Sequence, residues 1–270
     1  MTPRSHHQTK SIEGEKMDIL ASKQNGILTI EFNRPDKKNS ITSSMYQMMA
    51  DAIKDGEADS SVRVILFRGK PEVFSAGNDL DDFLNAREDL AERPVAQFLR
   101  NLSMASKPVI AAVSGMAIGI GVTMLLHCDQ IYAAEHTKFS MPFAKLGLCP
   151  EFGSSKLLPE MIGYPRAAEL LFFGESFFAE QAFEMGLINK ILPAADLLPY
   201  AYAQAAKLVV LPASSLRTTK RLMKARLTES VVAQMFEENT YFSAMLQSPE
   251  AKEAFTAFFE RRKPDFSKFR

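Results

Sequence analysis

The feature that most constrains this chain is an alternation that stops. Short apolar runs, bounded by Gly, Asn, Asp or Arg, recur between helical stripes as far as residue 197 and then vanish. The strand-like runs are Ile27–Phe32 (ILTIEF), 62–67 (VRVILF), Val109–Val113 (VIAAV), 131–134 (IYAA) and 188–192 (INKIL). They are partly β-branched and short, which favours strands over helices. Residues 43–53 carry Met45, Met48, Met49 and Ile53 at helical spacing behind Ser/Thr cap candidates, a stripe that reads as core packing. Residues 121–127, 166–173 and 179–185 read as further helices. Strands alternating with helices predict an α/β fold with parallel strands. Beyond 198 only helical runs follow, at 200–210, 214–224, 231–247 and 251–262. The expected division is a polar, disordered tail (1–16), an α/β core (17–197) and a helical region (198–270) of the kind that packs on another subunit.

Composition narrows the classes. The chain has 270 residues, 46% hydrophobic and 24% charged, which suits a globular core that needs no staples. Lys+Arg and Asp+Glu both number 32, so no basic surplus points to nucleic acid. No apolar run reaches the length of a membrane-spanning helix, and no membrane partner is expected. The start, MTPRSHHQTKSIEGEK, lacks an apolar secretory region, and His6 and His7 read as tail residues, not ligands. The final SKFR is not a peroxisomal address. A bacterial chain of this kind is expected in the cytoplasm, and organelle targeting is not readable. Cys128 and Cys149 have no zinc-type spacing and read as small core residues of a reduced protein.

Two glycine-bearing segments and one glutamate carry the chemistry. VFSAGNDL (73–80) and SGMAIGIGVTMLL (114–126) each follow a strand-like run. The second falls short of a dinucleotide fingerprint, because Met124 stands where the third glycine belongs. Two uses of Gly119 and Gly121 stay open. They serve helix–sheet packing, or they let free N–H groups at a helix start face an anion or oxyanion. Pro-Glu occurs at Glu72, Glu151, Glu160 and Glu250, and only Glu151 is followed by Phe-Gly-Ser-Ser, a turn-permitting run. Residues alone leave Glu151 between a solvated loop carboxylate and an acid–base group. No Gly-x-Ser-x-Gly elbow and no HExxH motif occurs.

Taken together, FNRPDKKNSI (32–41), VILFRGKPEVFSAGNDL (64–80), KPVIAAVSGMAIGIGVTMLLHCDQIYAAEHTKFSMP (107–142), LGLCPEFGSS (146–155) and AFFERRK (257–263) resemble the crotonase, or enoyl-CoA hydratase/isomerase, superfamily. The resemblance runs from about Ile27 to Lys263. It implies a spiral of ββα turns followed by helices that build a homotrimer or a dimer of trimers. It also implies an acyl-CoA substrate, with no metal and no cofactor beyond the CoA of the substrate itself. Two backbone N–H groups, of Asn78 after Ala76-Gly77 and of Ile120 after Gly119, match the family's oxyanion hole. Family hydratases carry glutamates where this chain has Thr123 and Phe143, so hydration is not expected. The segment 148–155 resembles the peroxisomal type of Δ3,Δ2-enoyl-CoA isomerase, which makes Glu151 the single catalytic base, desolvated by Phe143 and Phe152. The implied substrate contacts are Ala76, Gly77, Asp79, Leu80, Gly119 and Phe143, with Lys37, Lys38, Phe258 and Arg261 toward CoA. Other acyl-CoA chemistry of the family, dienoyl isomerisation or hydration, and a non-catalytic acyl-CoA-binding module remain the alternatives.

Overall fold

The computed structural model describes residues 17–85 and 93–269. The tail, with His6 and His7, lies outside the described residues. Strands β1 (Ile19–Gln24) and β2 (Ile27–Phe32) form an antiparallel hairpin. Asn25 and Gly26 turn it with φ of 51° and 78°, the mirror-image turn that matches strand twist. Helix α1 (Ser43–Ala58) follows, its first turn capped by the Thr42 hydroxyl. Then come β3 (Val64–Arg68), α2 (Leu80–Asn85), α3 (Pro94–Ser103), β4 (Val109–Val113), β5 (Met116–Ile118), α4 (Ile120–Thr123), β6 (Gln130–Ala134) and β7 (Lys138–Ser140). The chain continues through α5 (Ser154–Ile162), α6 (Tyr164–Phe173), β8 (Ser176–Phe178), α7 (Ala179–Glu184) and β9 (Lys190–Leu192). Four helices close it: α8 (Ala194–Val209), α9 (Ala213–Lys224), α10 (Thr228–Leu246) and α11 (Pro249–Phe259).

The main sheet has the order β1-β2-β3-β4-β6-β9, and every pairing after the hairpin is parallel. A second sheet joins β5 to β7 in parallel and β7 to β8 antiparallel. Parallel strands covered on both faces need apolar residues at every position. The central strands obey this with period two. Ile65, Phe67, Ala111, Val113, Ile131 and Ala133 face a large core that includes Met45, Met49 and Ile53 of α1. Val64, Leu66, Ile110, Ala112, Tyr132 and Ala134 face the other way, onto Leu197, Ala201 and Ala205 of α8.

That second face moves a boundary. Helix α8 begins at Ala194 and covers the sheet, so residue 198 falls inside a helix that belongs to the core layer. The strand runs expected at 62–67, 131–134 and 188–192 are present with ends shifted by up to two residues.

Small residues at 201 and 205 let α8 approach the strands closely. Ala201→Leu is expected to overpack this contact and destabilise the fold by about 1–3 kcal/mol, read as a lower urea midpoint at unchanged slope.

Candidate active site

The two segments after β3 and β4 meet. Ser75 bridges Ala117 in parallel register, and Ile118 N–H donates to the Ser75 carbonyl at 2.9 Å. Asn78 lies three residues beyond Ser75 and bridges Ile41 in parallel register, and Ile120, three residues beyond Ala117, opens α4. Several neighbouring backbone groups are engaged: Ala76 N–H on Lys38 O at 3.0 Å, Asp79 N–H on Ile41 O at 2.9 Å, Gly119 N–H on Ser140 O at 2.9 Å. Among the described residues, the N–H groups of Asn78 and Ile120 have no backbone acceptor in this network. The two glycines of the second segment have different reasons. A Cβ on Gly121 would stand 3.0 Å from the Ser75 carbonyl, so close packing requires glycine there. Gly119 sits at φ 55°, ψ −120°, with nothing within 4 Å of where its Cβ would lie. Its backbone angles require glycine, and its open side faces no protein atom.

Glu151 stands on the loop before α5. Behind it, Phe152 and Gly153 take consecutive left-handed conformations, φ 61° and 71°. A bulky residue rarely adopts that conformation unless its surroundings enforce it. Two side chains do so. His127 binds the Phe152 carbonyl through Nε2 at 2.7 Å and stacks on the Phe152 ring at 3.9 Å. Burial holds the His127 pKa down at about 3, so the ring is neutral, and a carbonyl partner requires its proton on Nε2. On the other side, Glu238 of α10 accepts from the N–H groups of Gly153 at 2.5 Å and Ser155 at 2.9 Å.

The Glu151 carboxyl accepts from the Thr123 hydroxyl at 2.5 Å. Burial pushes its pKa up to about 8; the Thr123 hydrogen bond opposes that rise and the Glu238 charge adds to it. The residue as a whole remains partly exposed, so the carboxyl is withdrawn from water while the loop is not. Tyr46 of α1 completes the polar cluster. Its hydroxyl donates to Asn78 Oδ1 at 2.5 Å, and burial, with Glu151 and Asp82 adding to it, holds the phenol well above its usual range. Its ring packs at 5.5 Å from Phe98, which lies 6.1 Å from Phe152.

The remaining expected residues divide. Ala76, Gly77 and Leu80 lie in the Asn78 segment, Gly77 accepting from Ile41 N–H at 2.8 Å and Leu80 packing on the main core. Asp79, expected at the substrate, is instead committed within the protein. It pairs with Arg34 at 2.7 Å and accepts from Ser40 Oγ at 3.1 Å. Burial opposes ionisation there, but bonds from Arg34, the Asp82 N–H and Ser40 hold its carboxyl below the usual range. Phe143 is buried, and its carbonyl closes the turn before the Glu151 loop by accepting from Leu146 and Leu148. Lys37 and Lys38 are exposed on the turn after Pro35, and Phe258 and Arg261 are exposed at the end of α11. Arg262, not Arg261, pairs with Glu253. Cys128 and Cys149 are only partly buried against the core, and burial raises their thiols to about 12 and 11. Among the described residues, no group of three His, Cys, Asp or Glu side chains is placed to hold a metal.

Four functional neighbours were not singled out from sequence: Tyr46, Thr123 as a partner of Glu151, His127 and Glu238. Glu238 had a readable signal. Val231, Met235 and Phe242 make a helical apolar stripe, and Glu238 interrupts it at a core position.

Glu151→Gln is expected to gain stability relative to the parent chain as pH rises. The folded carboxyl titrates near 8 against an ordinary 4.5. Its neutral form therefore supports folding fully below the lower value, and that support is lost as pH rises through the upper one. Thermal unfolding at about pH 5 and about pH 8.5 checks this, and the Tm difference must shift in favour of the variant at the higher pH.

The enoyl-CoA hydratase/isomerase family profile matches residues 22–269. Enoyl-CoA delta isomerase 2 of Rattus norvegicus is 34% identical over 92% of this chain, and the chain spans 65% of that protein. A 2,3-dehydroadipyl-CoA hydratase of Escherichia coli strain K12 is 29% identical, covering 92% of this chain and 98% of its own length. The crystal structure of an enoyl-CoA hydratase/isomerase from Pseudoalteromonas atlantica T6c superposes with a TM-score of 0.90 at 37% identity, over 93% of this chain and 100% of that one. A sequence match over nearly the whole chain and a backbone match of the same extent agree: the chain is an enzyme-family member of the enoyl-CoA hydratase/isomerase group and has the crotonase fold.

Proposed function

We propose that this chain is a Δ3,Δ2-enoyl-CoA isomerase with Glu151 as its only acid–base group. The observation that carries the reading is the Thr123–Glu151 hydrogen bond. Thr123 occupies one position where hydratases of the family place an acid, and Phe143 occupies the other. At this site the threonine serves the loop glutamate instead of replacing a lost carboxylate with nothing.

The reaction needs one proton shuttle. The Glu151 carboxylate takes a proton from C2 of a 3-enoyl thioester, and the electron pair delocalises into a dienolate. The thioester oxygen gains charge and is held by the N–H groups of Asn78 and Ile120. The Glu151 carboxyl then returns the proton at C4, leaving the double bond between C2 and C3. One carboxyl acts first as base and then as acid because the steps are sequential. Removing one oxyanion donor costs about 3–4 kcal/mol, and a general base contributes about 10²–10⁴-fold, so the two elements are of comparable weight. A carboxyl near 8 is a stronger base than an ordinary one and is still partly ionised at neutral pH.

Gly119, with its open side, lies along the acyl thioester. Lys37 and Lys38 suit the CoA phosphates, and exposed Phe258 and Arg261 suit the CoA of a neighbouring subunit in a trimer. The pathway expected for such an enzyme is β-oxidation of unsaturated acyl chains, with no metal or separate cofactor.

The test is turnover of 3-hexenoyl-CoA to the 2-enoyl product, with crotonyl-CoA hydration measured in parallel. Glu151→Gln is expected to lose about 10²–10⁴-fold in kcat, and hydration by the parent chain to be negligible. Full isomerase activity in the variant overturns the reading, as does dominant hydration. A second measurement concerns pH. The kcat/KM of the parent chain should rise with pH through a limb near 8, following Glu151 ionisation. Thr123→Val removes the bond that favours the charged carboxyl, so its limb should move to higher pH.

A further inference from the structure

The Glu151 loop is held from far along the chain. Helix α5 begins at Gly153 and Ser154 without a side-chain cap of its own. Its first N–H groups need acceptors, which a helix normally finds in its own preceding residue. Here they find Glu238 of α10, a carboxylate only 4% exposed. Glu238 Oε2 accepts from Gly153 N–H at 2.5 Å, and Oε1 accepts from Ser155 N–H at 2.9 Å and Ser155 Oγ at 2.5 Å. The other end of the loop meets the same residue, since Cys149 Sγ donates to the Glu238 carbonyl at 3.8 Å. Glu151 lies between these anchors, and the left-handed pair Phe152–Gly153 joins it to the second. The Gly153 N–H, the Ser155 N–H and the Ser155 hydroxyl thus all donate to one carboxylate, while the Cys149 side is tied by a longer thiol contact to the backbone of the same residue.

We infer that Glu238 is the positioning residue of Glu151: from α10 it fixes both ends of the 149–155 loop and so sets where the reacting carboxyl stands. The inference rests on the reading of Glu151 as the base. A positioned base acts only within a narrow range of distance and angle, and a displacement of about 1 Å costs about 10²-fold in rate. Glu238 also lies close enough for its charge to disfavour ionisation of Glu151. The other titratable groups facing the pair are Tyr46 of α1, Cys149 of the loop and Glu237 of α10. Burial keeps Tyr46 well above its usual range and Cys149 at about 11, so neither ionises at neutral pH.

The experiment compares Glu238→Gln, Glu238→Ala and Ser155→Ala with Glu151→Gln on 3-hexenoyl-CoA, reading kcat, KM, the pH profile and thermal unfolding. Glu238→Gln keeps the volume and an acceptor for Ser155, but its amide cannot also accept from Gly153. It is expected to fold, to keep KM within about threefold, to lose about 10–100-fold in kcat, and to move the kcat/KM limb to lower pH. Glu238→Ala should lose more in kcat than Glu238→Gln, and Ser155→Ala less. Should Glu238→Ala fail to fold, Glu238→Gln and Ser155→Ala carry the comparison. A folded Glu238→Gln with unchanged kcat and limb overturns the inference. So does a loss of activity that only tracks the loss of folded protein while the limb stays in place. Failure of the underlying reading is distinct, because Glu151→Gln itself then keeps its turnover.

Discussion

A carboxyl group withdrawn from water without a cation beside it is the constraint on which the site depends. Burial alone favours the neutral acid, and a lysine or arginine partner would reverse that preference and quench the base. Among the described residues Glu151 has a hydroxyl partner, Thr123, and no ion pair. The surroundings are kept to match. His127 is neutral, the two thiols are protonated, and Tyr46 holds its proton for Asn78. Arg34 pairs with Asp79 and Lys220 with Asp129, and no cation among the described residues contributes to the Glu151 shift. Such an interior leaves a carboxyl free to change its charge during a reaction.

The sheet explains why these groups meet. Both glycine-bearing segments leave the carboxyl ends of neighbouring parallel strands, β3 and β4, the usual place for ligand sites in such sheets. Period-two burial on both faces fixes the register of those strands, because a one-residue slip would exchange the residues facing α1 with those facing α8. Beyond the strands, the parallel bridge of Ser75 to Ala117 brings the two segments together.

Much of this was legible in the sequence, and the remainder was hidden for identifiable reasons. Strand β4 is a continuous apolar run and β2 alternates apolar with polar residues after Gly26, and both have the ends expected from sequence. Strand β1, ILASKQ, leaves four of its six residues exposed, so it has no apolar signature; the Asn25-Gly26 turn was its only marker. Strands β5, β7 and β8 have three residues each, too few to show a period. The turn at Phe152–Gly153 is legible from the Phe-Gly-Ser-Ser run after Glu151, whereas the burial of the Glu151 carboxyl and its Thr123 partner are not. The Asp79–Arg34 ion pair is not legible in the sequence, because the two residues lie 45 positions apart and nothing local shows the pairing. Glu238 was missed for the same reason of distance, although its place in an apolar stripe was a visible anomaly.

The tether from α10 has a consequence for how the molecule comes into being. Glu238 reaches Gly153 and Ser155 across 85 and 83 positions of sequence. The main sheet is complete once β9 has been made, at Leu192. A growing chain at that stage can own its whole sheet and both glycine-bearing segments while the loop that bears Glu151 still lacks its anchor. Synthesis thus separates completing the main sheet from completing the hydrogen bonds that hold the 149–155 loop.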